Sequence, residues 1–247
     1  MRSLTLDNGA DALVLPRQLT ALSLRYINAP SSGTVASIAS PDALQHLEEI
    51  EVHFPMIYAF GAVQPPPRLQ LLRVHSPQKG AWPAYFNEFF LDCAATVKHM
   101  EICDKSFALD LSSVLPNLLT LDLVIRRLRM VGQPALTEVS LAIQDTLELG
   151  DCPSLFRATI EFRNREARVA LEGCANLEEL TMVGHFRHVE GLPLLPPTLS
   201  KLRILKVTGW KELAGIPPLT SLERIEVENE ALIESLHPAL RARAVLV

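Results

Sequence analysis

One six-residue apolar pattern recurs along the whole chain and constrains its fold more than any other feature. The pattern is L-x-x-L-x-L, with any aliphatic residue allowed at the three marked positions, and it recurs eleven times. Its first positions are Met1, Leu19, Leu47, Leu69, Val97, Leu118, Leu136, Leu155, Leu177, Leu202 and Leu222. The spacings run from 18 to 28 residues, and a weaker twelfth copy covers 242–247. These copies hold many of the 42 leucines among the 247 residues.

The alternation inside each copy predicts a short strand with one apolar face. In x-L-x-L-x the leucines point to one side of the strand and the x residues to the other. One such strand cannot bury its apolar face alone, but a stack of them forms a parallel sheet with a continuous core. The segments between copies are short and rich in proline, which favours extended or 3₁₀ structure. A helix is expected only over 84–95.

The pattern resembles the leucine-rich repeat, whose consensus runs L-x-x-L-x-L-x-x-N/C-x-L. Segments Cys152–Leu155 and Cys174–Leu177 resemble the cysteine-containing repeats of F-box substrate receptors. The segments LPRQLTALSL, LLPPTLSKLRILKV and IPPLTSLERIEV resemble the proline-led repeats of secreted bacterial effectors. The resemblance implies an α/β horseshoe over 1–247 as a single domain. Its concave parallel sheet would have about 11–12 short strands, with a largely extended or 3₁₀ convex side.

One consensus position departs from the family pattern. The ninth position, usually Asn, is occupied by Gly9, Ile27, Pro55, Pro77, Lys105, Arg126, Gln144, Arg163, His185, Trp210 and Glu230. The side-chain ladder that this Asn normally forms is therefore not expected. Backbone groups near the turns must find other partners or water, since buried backbone groups are nearly always paired.

Composition excludes several classes of protein and function. Hydrophobic residues make up 48% and the formal net charge is −5, which is atypical of a disordered chain. This balance gives no basic footprint for nucleic acid, and there is no apolar run long enough for a membrane span. The first residues have no secretory signal pattern, and the four cysteines have no zinc spacing. The expected compartment is the cytosol, and a protein delivered into a host cell without a cleaved signal would have the same features.

The x residues of the strands are the candidate binding surface, since repeat solenoids commonly bind partners on their concave sheet. The second to fifth copies bring charged and imidazole groups together, with two aromatic residues at the sheet edge. The candidate partner-binding residues are Arg25, Tyr26, Glu49, Glu51, His53, Phe54, Arg73, His75, His99, Glu101 and Cys103. Arg and Tyr are typical of interface hot spots, so the sequence predicts a non-enzymatic module that binds a protein partner.

Several alternatives remain open at this stage. The same face could be a solvated mixed-charge surface whose ion pairs contribute little. His53, His75 and Cys103 share one column on successive strands, so they could bind zinc, or Cys103 could act as a nucleophile. The family resemblance also implies a substrate-recognition part of a ubiquitin-ligase system. No cofactor, nucleic acid or membrane partner is expected, and self-association through the sheet edges is a further option.

Overall fold

The computed structural model describes two compact units. The described residues are 3–7, 12–13, 15–25, 37–38, 41–53, 66–75, 93, 95–111, 115–164, 168–184, 195–210, 213 and 216–247. One unit comprises residues 1–107 and 115–118, and the other comprises residues 108–114 and 119–247. Each unit consists of successive turns of a parallel β-solenoid.

The first unit is a parallel sheet with one strand per turn. Its strands are β1 (Ser3–Asp7), β2 (Ala12–Leu13), β3 (Ala21–Arg25), β4 (Ser37–Ile38), β5 (Glu49–His53), β6 (Leu71–His75) and β7 (His99–Leu111), the last of which runs on into the second unit. The main sheet has the order β1-β3-β5-β6-β7, and β2 pairs with β4 in a separate parallel pair. A 3₁₀ helix covers Pro41–His46.

The second unit continues the same construction and carries two short helices. Its strands are β8 (Thr120–Val131), β9 (Glu138–Gly150), β10 (Arg157–Phe162), β11 (Arg168–Ala170), β12 (Glu179–Gly184), β13 (Ile204–Thr208), β14 (Arg224–Val227) and β15 (Ala244–Leu246). The order is β8-β9-β10-β12-β13-β14-β15, with β11 on β9. The helices are α1 (Glu230–Ser235) and α2 (Pro238–Arg241).

Every copy of the apolar pattern forms a strand. Each of the twelve strands begins two residues after the first position of its copy, whatever the spacing between copies, and this includes the weak twelfth copy at β15. The prediction of a parallel repeat solenoid is therefore confirmed. The horseshoe, the α/β assignment and the single domain over 1–247 stay predictions, and the predicted helix over 84–95 lies outside the described residues except at Cys93 and Ala95.

The expectation that all strands are short is wrong for three of them. Strands β7, β8 and β9 have 13, 12 and 13 residues. Beyond a register shift between Ile125 and Arg127, β8 continues to pair with β9, and β11 then adds to the same part of β9. The reason is that these return segments also alternate apolar and polar residues, so they bury Leu128 and Leu147 as strands do.

A repeated hydrogen-bond pattern sets the register between turns. The amides of Glu48 and Glu49 both donate to the carbonyl of Thr20, at 2.8 and 3.1 Å. The same paired donation recurs along the chain. The accepting carbonyls belong to Thr20, Glu48, Gln70, Leu119, Thr137, Phe156, Glu178 and Arg203, all at the second position of their copies. Equivalent residues of neighbouring turns are therefore held side by side.

Polar side chains just before several copies pair with backbone carbonyls of the preceding turn. Asn117 donates to the carbonyl of Ala95, and Ser154 donates to that of Pro134, both at 2.6 Å. Asn176 and Ser221 donate in the same manner to Pro153 and Leu202. Each of these donors thus pairs a carbonyl one turn back at the start of a copy, whereas the ninth positions follow the copies.

The core holds leucines, isoleucines and valines, with few polar groups. Cys152 and Cys174 occupy equivalent positions three residues before their copies, and both are buried, free thiols. Their neighbour in the same position of the preceding turn is the buried Gln133, which donates to the carbonyls of Leu111 and Val131. Small thiols and one satisfied amide thus fill this position without unpaired polar atoms.

Two glycines in equivalent turns provide a matched test of this packing. Gly132 and Gly173 both have φ +74, where an L side chain costs about 1–2 kcal/mol. Nothing described lies within 4 Å of a Cβ added to Gly132, whereas one added to Gly173 would lie 2.8 Å from the amide nitrogen of Asp151.

We expect Gly132→Ala to lower the free energy of unfolding by about 1–2 kcal/mol. Gly173→Ala should cost about 1–3 kcal/mol more, because overpacking adds to the strain. Urea denaturation compares the two, and equal losses would contradict this packing.

A second stability test concerns Trp210. Its ring packs edge-on against Phe162 with centroids 5.3 Å apart, and its buried Nε1 has no hydrogen-bond partner among the described residues. Trp210→Phe keeps an aromatic ring and removes the unpaired donor, so we expect a change below about 1.5 kcal/mol. Trp210→Ala should cost about 3–5 kcal/mol. If thermal unfolding shows equal losses for both variants, the indole N–H has a role that this packing does not explain.

Candidate functional site

Eight of the predicted binding residues lie on one face of three neighbouring strands in the first unit. Parallel register places them in three columns across β5, β6 and β7, which read Glu49-Leu71-His99, Glu51-Arg73-Glu101 and His53-His75-Cys103. The residues between them along each strand are buried, so the alternation separates core from surface. We call Glu49, Glu51, His53, Arg73, His75, His99, Glu101 and Cys103 the mixed-charge face.

Three of the predicted site residues are described only in part or not at all. The backbone of Arg25 lies on β3, in register with Asp7 of β1, and its side chain is not described. Tyr26 and Phe54, expected at the sheet edge, lie outside the described residues. The mixed-charge face is therefore defined by charged, imidazole and thiol groups.

An ion pair lies in the middle column of the mixed-charge face. Arg73 Nε donates to Glu101 Oε2 at 3.0 Å. The two side chains are 42% and 40% exposed, so water screens much of their attraction. Both ends of the pair remain accessible to a molecule that approaches the sheet.

A compact group of Glu51, His53 and His75 lies beside this ion pair. Glu51 Oε1 lies 3.2 Å from His53 Nε2 and 3.9 Å from His75 Nε2. The two imidazole rings are tilted by 38°, with centroids 4.7 Å apart. Ser23 Oγ donates to the other oxygen of the same carboxylate at 3.1 Å. One carboxylate oxygen of Glu51 and one ring nitrogen of each histidine could bind a metal ion, and these three atoms all lie within 4.8 Å of one another.

The surroundings of His75 favour its neutral form. Partial burial lowers the pKa of His75 below its ordinary value, and the neighbouring His53 lowers it further, whereas Glu101 and Glu51 act in the opposite direction. A neutral imidazole has a lone pair on one ring nitrogen. Near neutral pH this ring is accordingly suited to accept a hydrogen bond or to bind a metal ion.

The structure changes the membership of the predicted metal cluster. The sequence groups His53 and His75 with Cys103, and Cys103 is indeed the register partner of His75. Among the described residues, however, the donor atoms that come together are those of Glu51, His53 and His75. Glu51 precedes His53 by two residues, so the strand period alone places both on one face. The strand period could therefore have predicted that Glu51 joins the two histidines. The prediction considered only residues of one column and left Glu51 out of the metal cluster.

Two shallow depressions lie on the described surface. One, of about 170 Å³, lies over β1, β3 and β5 and is lined by Ser3, Thr5, Ser23, Glu49, Glu51 and Arg73. The other, of about 340 Å³ in the second unit, has charged walls from Asp110, Arg127, Arg129 and Glu148. Pockets for drug-sized ligands measure about 300–1,000 Å³, so the depression beside the mixed-charge face is too small for such a ligand.

The second unit carries Arg–carboxylate pairs that the sequence prediction did not select. Arg157 bridges two neighbouring strands, with contacts of 3.2 Å to Glu138 and 2.9 Å to Glu179. Arg203 donates through two nitrogens to Glu223 at 2.9 and 3.0 Å. These side chains are well exposed, so the pairs contribute little to stability. They provide matched controls for the pair on the mixed-charge face.

Comparison with protein-family models, with curated protein sequences and with solved structures finds no match to this chain. Within the described ranges, none of the helices has the length and apolar character needed to cross a membrane.

The exposure of the Arg73–Glu101 pair predicts a small effect on stability. We expect Arg73→Gln or Glu101→Gln to change the free energy of unfolding by less than about 1 kcal/mol, with the difference shrinking in high salt. Leu72→Ala, at the neighbouring buried position, should cost about 2–5 kcal/mol. Chemical denaturation at two ionic strengths measures both effects. A large, salt-independent loss in either Gln variant would show that the pair is part of the core architecture.

Proposed function

We propose that the chain is a leucine-rich-repeat protein-interaction module and that it binds a protein partner through the mixed-charge face. The leucine-rich-repeat assignment is supported by the strands, each of which begins two residues after the first position of its copy. The observation that carries the function is the in-register grid of charged and imidazole groups on adjacent parallel strands.

The chemistry of this face suits a protein partner better than a small molecule. The neighbouring depression is too small for a drug-sized ligand, while the columns offer cation, anion and imidazole groups across three strands. Arg73 combines charge with a long apolar stem, which is a common property of interface hot spots. Groups of opposite sign in adjacent positions give a partner specificity and a fixed register. The proposed module is non-enzymatic and acts by binding alone.

The test compares two exposed ion pairs in the full chain. The double variant Arg73→Ala/Glu101→Ala removes the pair on the mixed-charge face, and Arg203→Ala/Glu223→Ala removes a similar pair in the second unit. Partners captured by the wild-type chain are identified, and the affinity of the strongest is then measured directly. Hot-spot residues contribute about 2 kcal/mol or more, so we expect the first variant to bind at least about 30-fold more weakly.

The control variant should bind as tightly as wild type. Unchanged binding by Arg73→Ala/Glu101→Ala would contradict the proposed binding face, as would equal losses in both variants. The ubiquitin-ligase alternative, the cytosolic location and self-association through sheet edges stay predictions from the sequence.

A further inference from the structure

The group of Glu51, His53 and His75 belongs to the mixed-charge face and also has the chemistry of a metal site. Two imidazole nitrogens and one carboxylate oxygen converge on the surface of β5 and β6. We propose that these three residues bind a divalent transition-metal ion, with zinc as the best chemical fit. It concerns residues that also belong to the proposed partner-binding face, and metal binding is tested without a partner.

The distances between the donor atoms fit one metal ion after small side-chain movements. Zinc lies about 2.0–2.2 Å from imidazole nitrogen and carboxylate oxygen, so tetrahedral ligands lie about 3.3 Å from one another. Glu51 Oε1 already lies 3.2 Å from His53 Nε2 and 3.9 Å from His75 Nε2. The widest separation in the group is at most 4.8 Å. Modest rotations about side-chain bonds would close this gap without backbone movement.

The three side chains are positioned by adjacent parallel strands and by a hydrogen bond from a third strand. His53 and His75 are register partners on adjacent parallel strands, and Glu51 lies two residues before His53 on the same face. Ser23 of β3 donates to Glu51 Oε2, which orients the carboxylate so that Oε1 points toward the imidazoles. Such outer contacts commonly fix a ligand and increase metal affinity.

The donor set selects the class of metal. Calcium and magnesium prefer shells made of oxygen, whereas two imidazoles and one carboxylate suit zinc and its neighbours in the first transition row. The side chains of Glu51, His53 and His75 are 23%, 31% and 27% exposed, so a water molecule can reach the fourth position. The nearby cation Arg73 is paired with Glu101, which reduces its repulsion of a metal ion.

The direct test is metal binding by the full chain after treatment with a chelator. Calorimetric titration with Zn²⁺ should give one equivalent for wild type. Each of His53→Gln, His75→Gln and Glu51→Gln should weaken binding at least about tenfold, because even outer-shell changes cost about 10–100-fold. Co²⁺ should give the intense visible absorption of a four-coordinate ion, and each variant should lose it.

The matched control is His99→Gln, which removes an imidazole from the same face in a different column. It should bind Zn²⁺ with wild-type affinity and stoichiometry. Circular dichroism melts of the metal-free variants establish that each one folds. The proposal is overturned if wild type binds no stoichiometric Zn²⁺. It is also overturned if the three site variants bind as wild type does, or if His99→Gln loses as much affinity as they do.

Discussion

The pairing of backbone amides between successive turns is the constraint on which the rest of the structure depends. At eight places along the described chain, two consecutive amides of one turn donate to a single carbonyl of the turn before, at the same position of the repeat. A slip of one residue would move every leucine of a strand from the core to the surface. The leucines supply the free energy of burial, but this pairing decides which side chains face water.

Register also explains how a candidate site can exist on a flat sheet. Glu51 and Arg73 come from copies 22 residues apart, yet they are direct neighbours because their strands begin at the same repeat position. His53 and His75 are brought together in the same way, and the carboxylate of Glu51 joins them through the two-residue period of β5. No cleft or mobile loop is needed to assemble this group. Both proposals depend on the same grid, one through its charges and the other through its metal-binding atoms.

The sequence predicts the strands far better than the segments between them. Apolar alternation in the copies places the twelve strands that begin in them, because it reports directly on burial, but it does not mark β11, which joins the same sheet beside β9. It does not show that β8 and β9 continue past Ile125 as paired strands, since that depends on a neighbouring return segment with a matching pattern. The candidate site is likewise predictable only in part. Strand periodicity finds His53 and His75 as neighbours, but side-chain rotamers decide that Glu51, and not Cys103, completes the group of donor atoms.

Every strand of the repeat begins at the same position of its copy, and this limits how the sequence can change during evolution. The spacing between copies varies from 18 to 28 residues, while the register of the strands within the copies does not. Differences in length between copies therefore leave the order of surface side chains on the described strands intact. The interval between copies is thus free to change in length, while the strand face changes by substitution.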